Sequence, residues 1–314
     1  PAFMVLDSGG AGHVRRIVFF SLELAGLAGA VIMLLTGLIW RQAARRHIVW
    51  FNFMFTWMIS CASYILLIGQ SVDELPNRTI CVAQSALIYS VPTLTSGSTL
   101  ALVIHVYITL RTLLTVATPD YLFMYRKILT IMLVGVPYVP TAGMFASALV
   151  ISLRAPPSEL SLSYSEGAFC GLTATPLGRI SASIVAVMMI AGLVFEAVIF
   201  CTLRRVWRTL QAENRASVSM ITRVMAFTLV SIVSIIISMI FLVLPSEHQS
   251  GFNVMIATIP VTSVLIFGTQ KDVLNAWASI FRKKRAHGAD TWDTFTPEGS
   301  RQIIITLSPL RSKV

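Results

Sequence analysis

Leu229–Leu244 reads LVSIVSIIISMIFLVL, and Ile128–Val136 reads ILTIMLVGV. A soluble surface helix would set an apolar stripe against polar residues at a 3.6-residue period. These two stretches are apolar all round, as a helix surrounded by lipid would be. A hydrocarbon core about 30 Å thick takes roughly 20 apolar residues of helix to cross. Working outward from these two, seven such stretches are predicted, near 17–40, 48–69, 80–110, 128–151, 180–203, 224–244 and 252–269. No water satisfies stray backbone groups inside lipid, so each is expected to be helical. The expected fold class is all-α: a seven-transmembrane helix bundle with a short amphipathic C-terminal helix and the N-terminus outside.

Composition agrees. The chain is 55% hydrophobic and 12% charged, with a mean hydropathy of +0.78. Length alone would suggest two soluble domains, but the spans override that prior. The expected layout is an extracellular N-terminal segment at 1–16, a membrane domain at 17–269, an interfacial helix at 270–286 and a disordered cytoplasmic tail at 287–314. No cleavable signal pattern precedes the first span, which is read as its own targeting signal. The formal charge of +10 does not indicate nucleic acid, because the basic residues sit beside the spans. One set of loops carries Arg41, Arg45 and Arg46, then Arg111, Arg126 and Lys127, then Arg204, Arg205, Arg208 and Arg215. The other carries few cations and the acids Asp73, Glu74, Glu159, Glu166 and Glu247. Basic loops stay in the cytosol, so the C-terminus is expected inside and the N-terminus outside, in a multi-pass protein of the plasma membrane. Arg15 and Arg16 fall on the outer side against this bias, at a span end where long side chains reach the headgroups.

Two further cues fit that orientation. Asn77-Arg78-Thr79 is a glycosylation sequon in a predicted outer loop. Of the four cysteines, Cys81 opens the third span on the outer side and Cys170 lies in the longest outer loop. That compartment is oxidising, so a Cys81–Cys170 bridge is expected, with two unpaired thiols as the alternative. Cys61 reads as packing and Cys201 as an apolar residue near the inner face.

Seven spans, an outside N-terminus, the Cys81 and Cys170 pair and an inner amphipathic helix together resemble a G-protein-coupled receptor. The resemblance covers roughly 15–285. Ile266-Phe267-Gly268-Thr269-Gln270-Lys271-Asp272-Val273-Leu274 is similar to the seventh-span ending of fungal receptor-like proteins, particularly basidiomycete ones. Where the rhodopsin-like family carries Asp-Arg-Tyr, this chain has His105-Val106-Tyr107; where it carries Asn-Pro-x-x-Tyr, this chain has Ile259-Pro260-Val261-Thr262-Ser263. Only the tyrosine and the proline match. The second span has no Asp and the sixth no Cys-Trp-x-Pro. The architecture matches while the micro-switches differ, which favours a divergent fungal branch. The resemblance implies a heterotrimeric G protein as intracellular partner and an extracellular agonist.

Individual residues refine these expectations. Pro92, Pro137, Pro140 and Pro260 each remove a backbone hydrogen bond; they shape the bundle, and Pro260 is a candidate hinge. Ser96, Gly97, Ser98 and Thr99 are small enough for close helix approach. Polar groups in lipid are costly and default to functional hypotheses. Glu196 is expected to pair with His105 or another inner-half group, and Glu23 to snorkel or bond locally, with ligand contact as the alternative. By depth alone, the pocket liners are expected to be Gln84, Ile88 and Tyr89, with Met188 and Met189, and Asn253. The coupling face is assigned to His105, Val106, Tyr107 and Arg111, with Glu196, Arg204, Arg205, Arg208 and Pro260. Basic residues there attract anionic membrane lipids and suit the acidic and apolar C-terminal helix of a G-protein α subunit. Val273, Leu274, Trp277, Ile280 and Phe281 recur at helical spacing, as in a helix lying in the interface. Ser308-Pro309 is a phosphorylation candidate in a polar tail.

The sequence offers no phosphate loop, no metal-ligand spacing and no nucleophile triad, so neither an enzyme nor a cofactor is expected. A retinal protein needs a lysine in the seventh span; Asn253 stands at the matching place. The function expected is a receptor passing a small-molecule, lipid or lipopeptide signal to a G protein. A small seven-helix membrane transporter is the alternative, and a structural membrane protein the third reading.

Overall fold

The computed structural model describes residues 8–39, 47–68, 77–114, 121–156, 160–162, 169–172, 176–213 and 250–269, together with 224–226, 228–230, 232–233, 236, 273–274 and 277. Its helices are α1 (Ser8–Ile39), α2 (Ile48–Tyr64, followed by a 3-10 turn at Ile65–Leu67), α3 (Arg78–Leu114), α4 (Tyr121–Gly135), α5 (Tyr138–Arg154), α6 (Leu177–Glu213) and α7 (Ser250–Gly268). The two strands are β1 (Leu160–Leu162) and β2 (Cys170–Leu172). They pair antiparallel with Leu160 opposite Leu172. The all-α expectation holds, with this small hairpin added.

Among the described residues, five helices are long and apolar enough to cross a membrane: Gly12–Ile39, Ile48–Leu67, Arg78–Thr112, Lys127–Arg154 and Leu177–Arg205. Asn253–Gly268 is a shorter apolar helix. The predicted fourth span is two helices in line. Pro137 cannot donate a backbone hydrogen bond, and the chain turns at Val136–Pro137 before α5 begins. The first helix starts at Ser8, so the predicted 1–16 segment is partly helical. The tail at 287–314 and its Ser308-Pro309 lie outside the described residues.

Polarity is distributed inside out. Ile131, Val139, Val187 and Leu265 are 69%, 73%, 68% and 60% exposed, far more apolar surface than a water-soluble protein shows. Hydroxyls instead fill the interior, where they bond across helices. Thr56 and Ser98 meet at 2.7 Å, Ser85 and Ser152 at 2.6 Å, and Thr93 and Thr141 at 3.2 Å. Each pair is buried or half-buried and joins α3 to α2 or α5. Without lipid-excluded water to drive them together, helices in a membrane associate through such bonds and through close packing of small residues.

Small residues fix the tightest contacts. A Cβ added at Gly26 would lie 2.8 Å from the Cβ of Pro260, and one at Gly29 would lie 2.5 Å from Cγ1 of Val264. Gly97 is similarly closed by Pro137, at 3.0 Å. The Gly26–Pro260 and Gly29–Val264 contacts advance together along both chains, so α1 and α7 run parallel. Tyr89 beside Gly178 and Ser96 beside Met188 make α3 and α6 parallel in the same way. α2 runs against α1, because Phe19 meets Tyr64 while Gly37 faces Phe51. It also runs against α3, because Gln84 reaches Ser63 while Ser98 meets Thr56. All of α1, α3, α6 and α7 therefore point one way.

Of the two expectations for Glu23, snorkelling is not met: it is 0% exposed, and its carboxyl lies against the Cys61 thiol of α2. Beyond α7, Val273 is buried, and Trp277 donates through Nε1 to the Thr36 hydroxyl at 3.0 Å. That face of the predicted interfacial helix is thus docked on the bundle, while Leu274 is exposed. Ile280 and Phe281 lie outside the described residues.

Candidate ligand pocket and the opposite end of the bundle

Cys81 and Cys170 form a disulfide, with their Cα atoms 5.3 Å apart. It ties β2 to the first turn of α3. Two side chains of α3 secure the strand further. Gln84 accepts the Cys170 amide at 3.0 Å and donates to the Ser63 carbonyl at 3.1 Å. The Tyr89 hydroxyl donates to the Leu172 carbonyl at 3.2 Å and accepts the Leu172 amide at 3.1 Å. Both backbone groups of Leu172 are thereby satisfied away from water, as buried backbone groups have to be. Phe169, just before β2, packs on Tyr64 and Phe19.

A cavity of ≈ 340 Å³ lies between α2, α3, α6 and α7, with Phe169 in its wall. Trp57, Tyr64, Tyr89 and Phe169 supply its aromatic walls. Ser60, Thr95, Ser96, Thr99 and Ser181 line it with hydroxyls. The size falls at the lower end of small-molecule sites, and the mixture of apolar wall and few polar groups is typical of them.

Four of the six residues expected to line a pocket do so: Ile88, Tyr89, Met189 and Asn253. Two do not. Gln84 is fully buried and spent on holding β2 and the end of α2. Met188 lies behind the wall, where its sulfur accepts the Ser96 hydroxyl at 3.4 Å. Depth identifies a level in the bundle, whereas the rotation of each helix decides which residue faces inward. Ser60 and Ser181 had no signal to separate them from ordinary packing serines. The hairpin had one: the alternation Leu160-Ser161-Leu162-Ser163 is strand-like.

At the opposite end, His105 stacks on His47, with ring centroids 3.9 Å apart and planes 19° off parallel. His47 is the N-cap of α2, and its Nδ1 accepts the Val49 amide at 3.4 Å. That bond needs an unprotonated Nδ1, and burial lowers the His47 pKa below its ordinary value. His47→Ala is expected to cost about 1 kcal/mol, and His47→Asn to restore much of it as an alternative cap. Thermal unfolding in detergent measures both; equal losses in the two variants would remove the capping role.

The other residues of the coupling set divide. Tyr107 packs on Phe195 and accepts from Arg111 Nε at 3.0 Å. Val106 is buried in the core and presents nothing at the surface. Glu196 does not pair with His105; it lies by the Thr228 hydroxyl, which donates to the Val224 carbonyl at 3.1 Å. The two residues are on faces held apart by their helices: His105 turns to α2, and Glu196 to the helical residues around Thr228. Arg204 covers the Phe200 ring at 5.2 Å, and Arg205 is exposed. Arg208 lies on α6, but its side chain is outside the described set. Pro260 is buried against Gly26. Asn77 is exposed at the head of α3, its Oδ1 accepting the Thr79 amide at 3.0 Å.

Compared with known proteins, the chain matches no family model, and no curated protein is significantly similar to it.

Proposed function

We propose that this protein is a seven-helix receptor of the plasma membrane, which binds a small agonist at the disulfide end and engages a heterotrimeric G protein at the other. The observation that carries the reading is the cavity: an apolar site with few polar groups, whose wall includes Phe169, next to the strand that a disulfide anchors. Its liners include Pro92 on α3 and Ile259, next to Pro260, on α7. A proline inside each helix removes a backbone hydrogen bond near the pocket, which gives a ligand leverage on the distant ends of α3 and α7. A ligand shifts the bundle only by binding one arrangement more tightly than the other.

Chain direction supports the seven-pass count. α6 and α7 are parallel, so Glu213 and Ser250 stand at opposite ends of the bundle, as a return pass between them requires. Val224 lies in the same core cluster as Leu203, and Thr228 meets Glu196 one to two turns further towards the disulfide end. These contacts follow such a return pass. The loop bias of lysine and arginine puts the disulfide end outside, where the sequon at Asn77 also lies.

The test is nucleotide exchange. The full chain in nanodiscs is mixed with fungal G-protein heterotrimers, alone and with candidate agonists. Exchange is expected, and a variant with Arg204, Arg205 and Arg208 all changed to Glu is expected to lose most of it, because charge reversal repels an acidic partner. Exchange that is indifferent to the triple change would refute the assigned face. No exchange even with a bound ligand, together with solute flux in proteoliposomes, would replace the receptor by a transporter.

A further inference from the structure

We propose that the pocket takes a neutral amphiphile that carries a hydroxyl, an alcohol of roughly 15 non-hydrogen atoms filling the cavity at the density of a protein interior. This rests on the pocket of the proposed receptor and adds the class of its ligand. Three observations carry it.

The first is charge. Among the described residues lining the cavity there is no Asp, Glu, Lys, Arg or His. An ionised ligand head would be stripped of water without a counter-charge from them, at large cost. The second is an unused donor. Ser181 is 5% exposed and lines the cavity; its Oγ is buried beside it without a hydrogen-bond partner among the described residues, and a turn about the Cα–Cβ bond would bring it to a ligand. A buried hydroxyl without a partner costs about 1–3 kcal/mol, and a ligand oxygen would relieve that cost. Most of the other lining hydroxyls are committed: Thr95, Ser96 and Thr99 all donate within α3. The third is an acceptor. Pro92 lacks the N–H that would bond the Ile88 carbonyl, and both residues line the cavity. Ser181 as donor and the Ile88 carbonyl as acceptor match the two faces of an alcohol, which accepts and donates through one oxygen. A carboxylate has no proton to give that carbonyl, and a protonated amine has no lone pair for Ser181. The aromatic walls and Ile256 take the alkyl part.

The experiment measures saturable binding of tritiated tetradecan-1-ol to the full chain in nanodiscs. Ala182→Trp, which fills the cavity, serves as the blank for partition into lipid. Competitors are tetradecanoate, tetradecylammonium and 1-decanoylglycerol. Tetradecan-1-ol is expected to bind saturably to the wild type and not to Ala182→Trp. Ser181→Ala, a change too small to disturb folding, is expected to weaken binding about tenfold, as loss of one hydrogen bond does. Competition by 1-decanoylglycerol would identify a membrane lipid as a source, and its absence a free alcohol; both keep the class. Equal or tighter binding of the acid or the amine overturns it, as does unchanged affinity in Ser181→Ala or a lack of saturable binding to the wild type. Nucleotide exchange is read in parallel. Saturable alcohol binding without exchange leaves the ligand class standing and counts against the receptor; exchange driven by a charged ligand does the reverse.

Discussion

Cys170→Ser is expected to remove saturable ligand binding and to lower the thermal midpoint of the solubilised protein. The disulfide closes a loop between residues 89 apart in sequence, and loss of such a cross-link typically costs about 2–5 kcal/mol. For a domain of this size that is on the order of 5–15 °C. The loss of binding has a separate cause. Phe169, which precedes β2, and Tyr89, which bonds it, both line the cavity, and the strand is otherwise held by the Gln84 and Tyr89 hydrogen bonds. Neutral hydrogen bonds of that kind contribute about 1 kcal/mol each, too little to keep a freed strand in one place. Differential scanning fluorimetry and the binding assay above check the two effects independently. If binding survives while stability falls, the strand does not hold Phe169 and Tyr89 in the pocket wall. Cys81→Ser should reproduce both effects, since it cuts the same tie.

The second large effect is expected at the contact between α1 and α7. In Gly29→Ala the new methyl would sit 2.5 Å from Cγ1 and 2.9 Å from Cγ2 of Val264. Valine is branched at Cβ and has little rotamer freedom on a helix, so the side chain cannot swing aside. The helices have to separate, and overpacking of this kind costs about 1–3 kcal/mol. Val264→Ala removes both clashing methyls. The double variant is therefore expected to regain most of the midpoint lost in Gly29→Ala, although each single change destabilises. Simple additivity of the two losses would show that the helices do not approach as described. Gly26 faces a harder obstacle, because the Pro260 ring is rigid and Cys61 closes the other side at 3.1 Å.

Much of this architecture was legible before any coordinates. A run such as Ile128–Val136 has no polar face to expose, so lipid and helix follow directly from it. Cys81 and Cys170 could be paired because both fall on the side that the arginines avoid. The break in the fourth span was half legible: Pro137 and Pro140 marked the place, but a kinked single helix and two helices in line share that sequence.

The pocket was less legible, for a reason that Gln84 and Met188 make plain. On an amphipathic helix, polarity reveals which face is buried. Helices α3 and α6 are apolar or weakly polar all round, so their sequence carries almost no signal for rotation about their own axes. Ser181 and Ser183 are equivalent on paper, yet one lines the cavity and the other is exposed and donates to the Arg179 carbonyl. Likewise, Glu196 in the fifth span could meet His105 or another inner-half group, and only the bundle decides for Thr228.

By itself, then, the sequence determined the apolar helical stretches, the sidedness expected for the loops and the cysteine tie, because each depends on local composition against water or lipid. Tertiary structure alone decided the cavity, the His47–His105 stack, the burial of Glu23 and the glycine contacts of α1. Those depend on which faces of all-apolar helices meet, and that choice is made by shape and by hydrogen bonds between residues far apart in the chain.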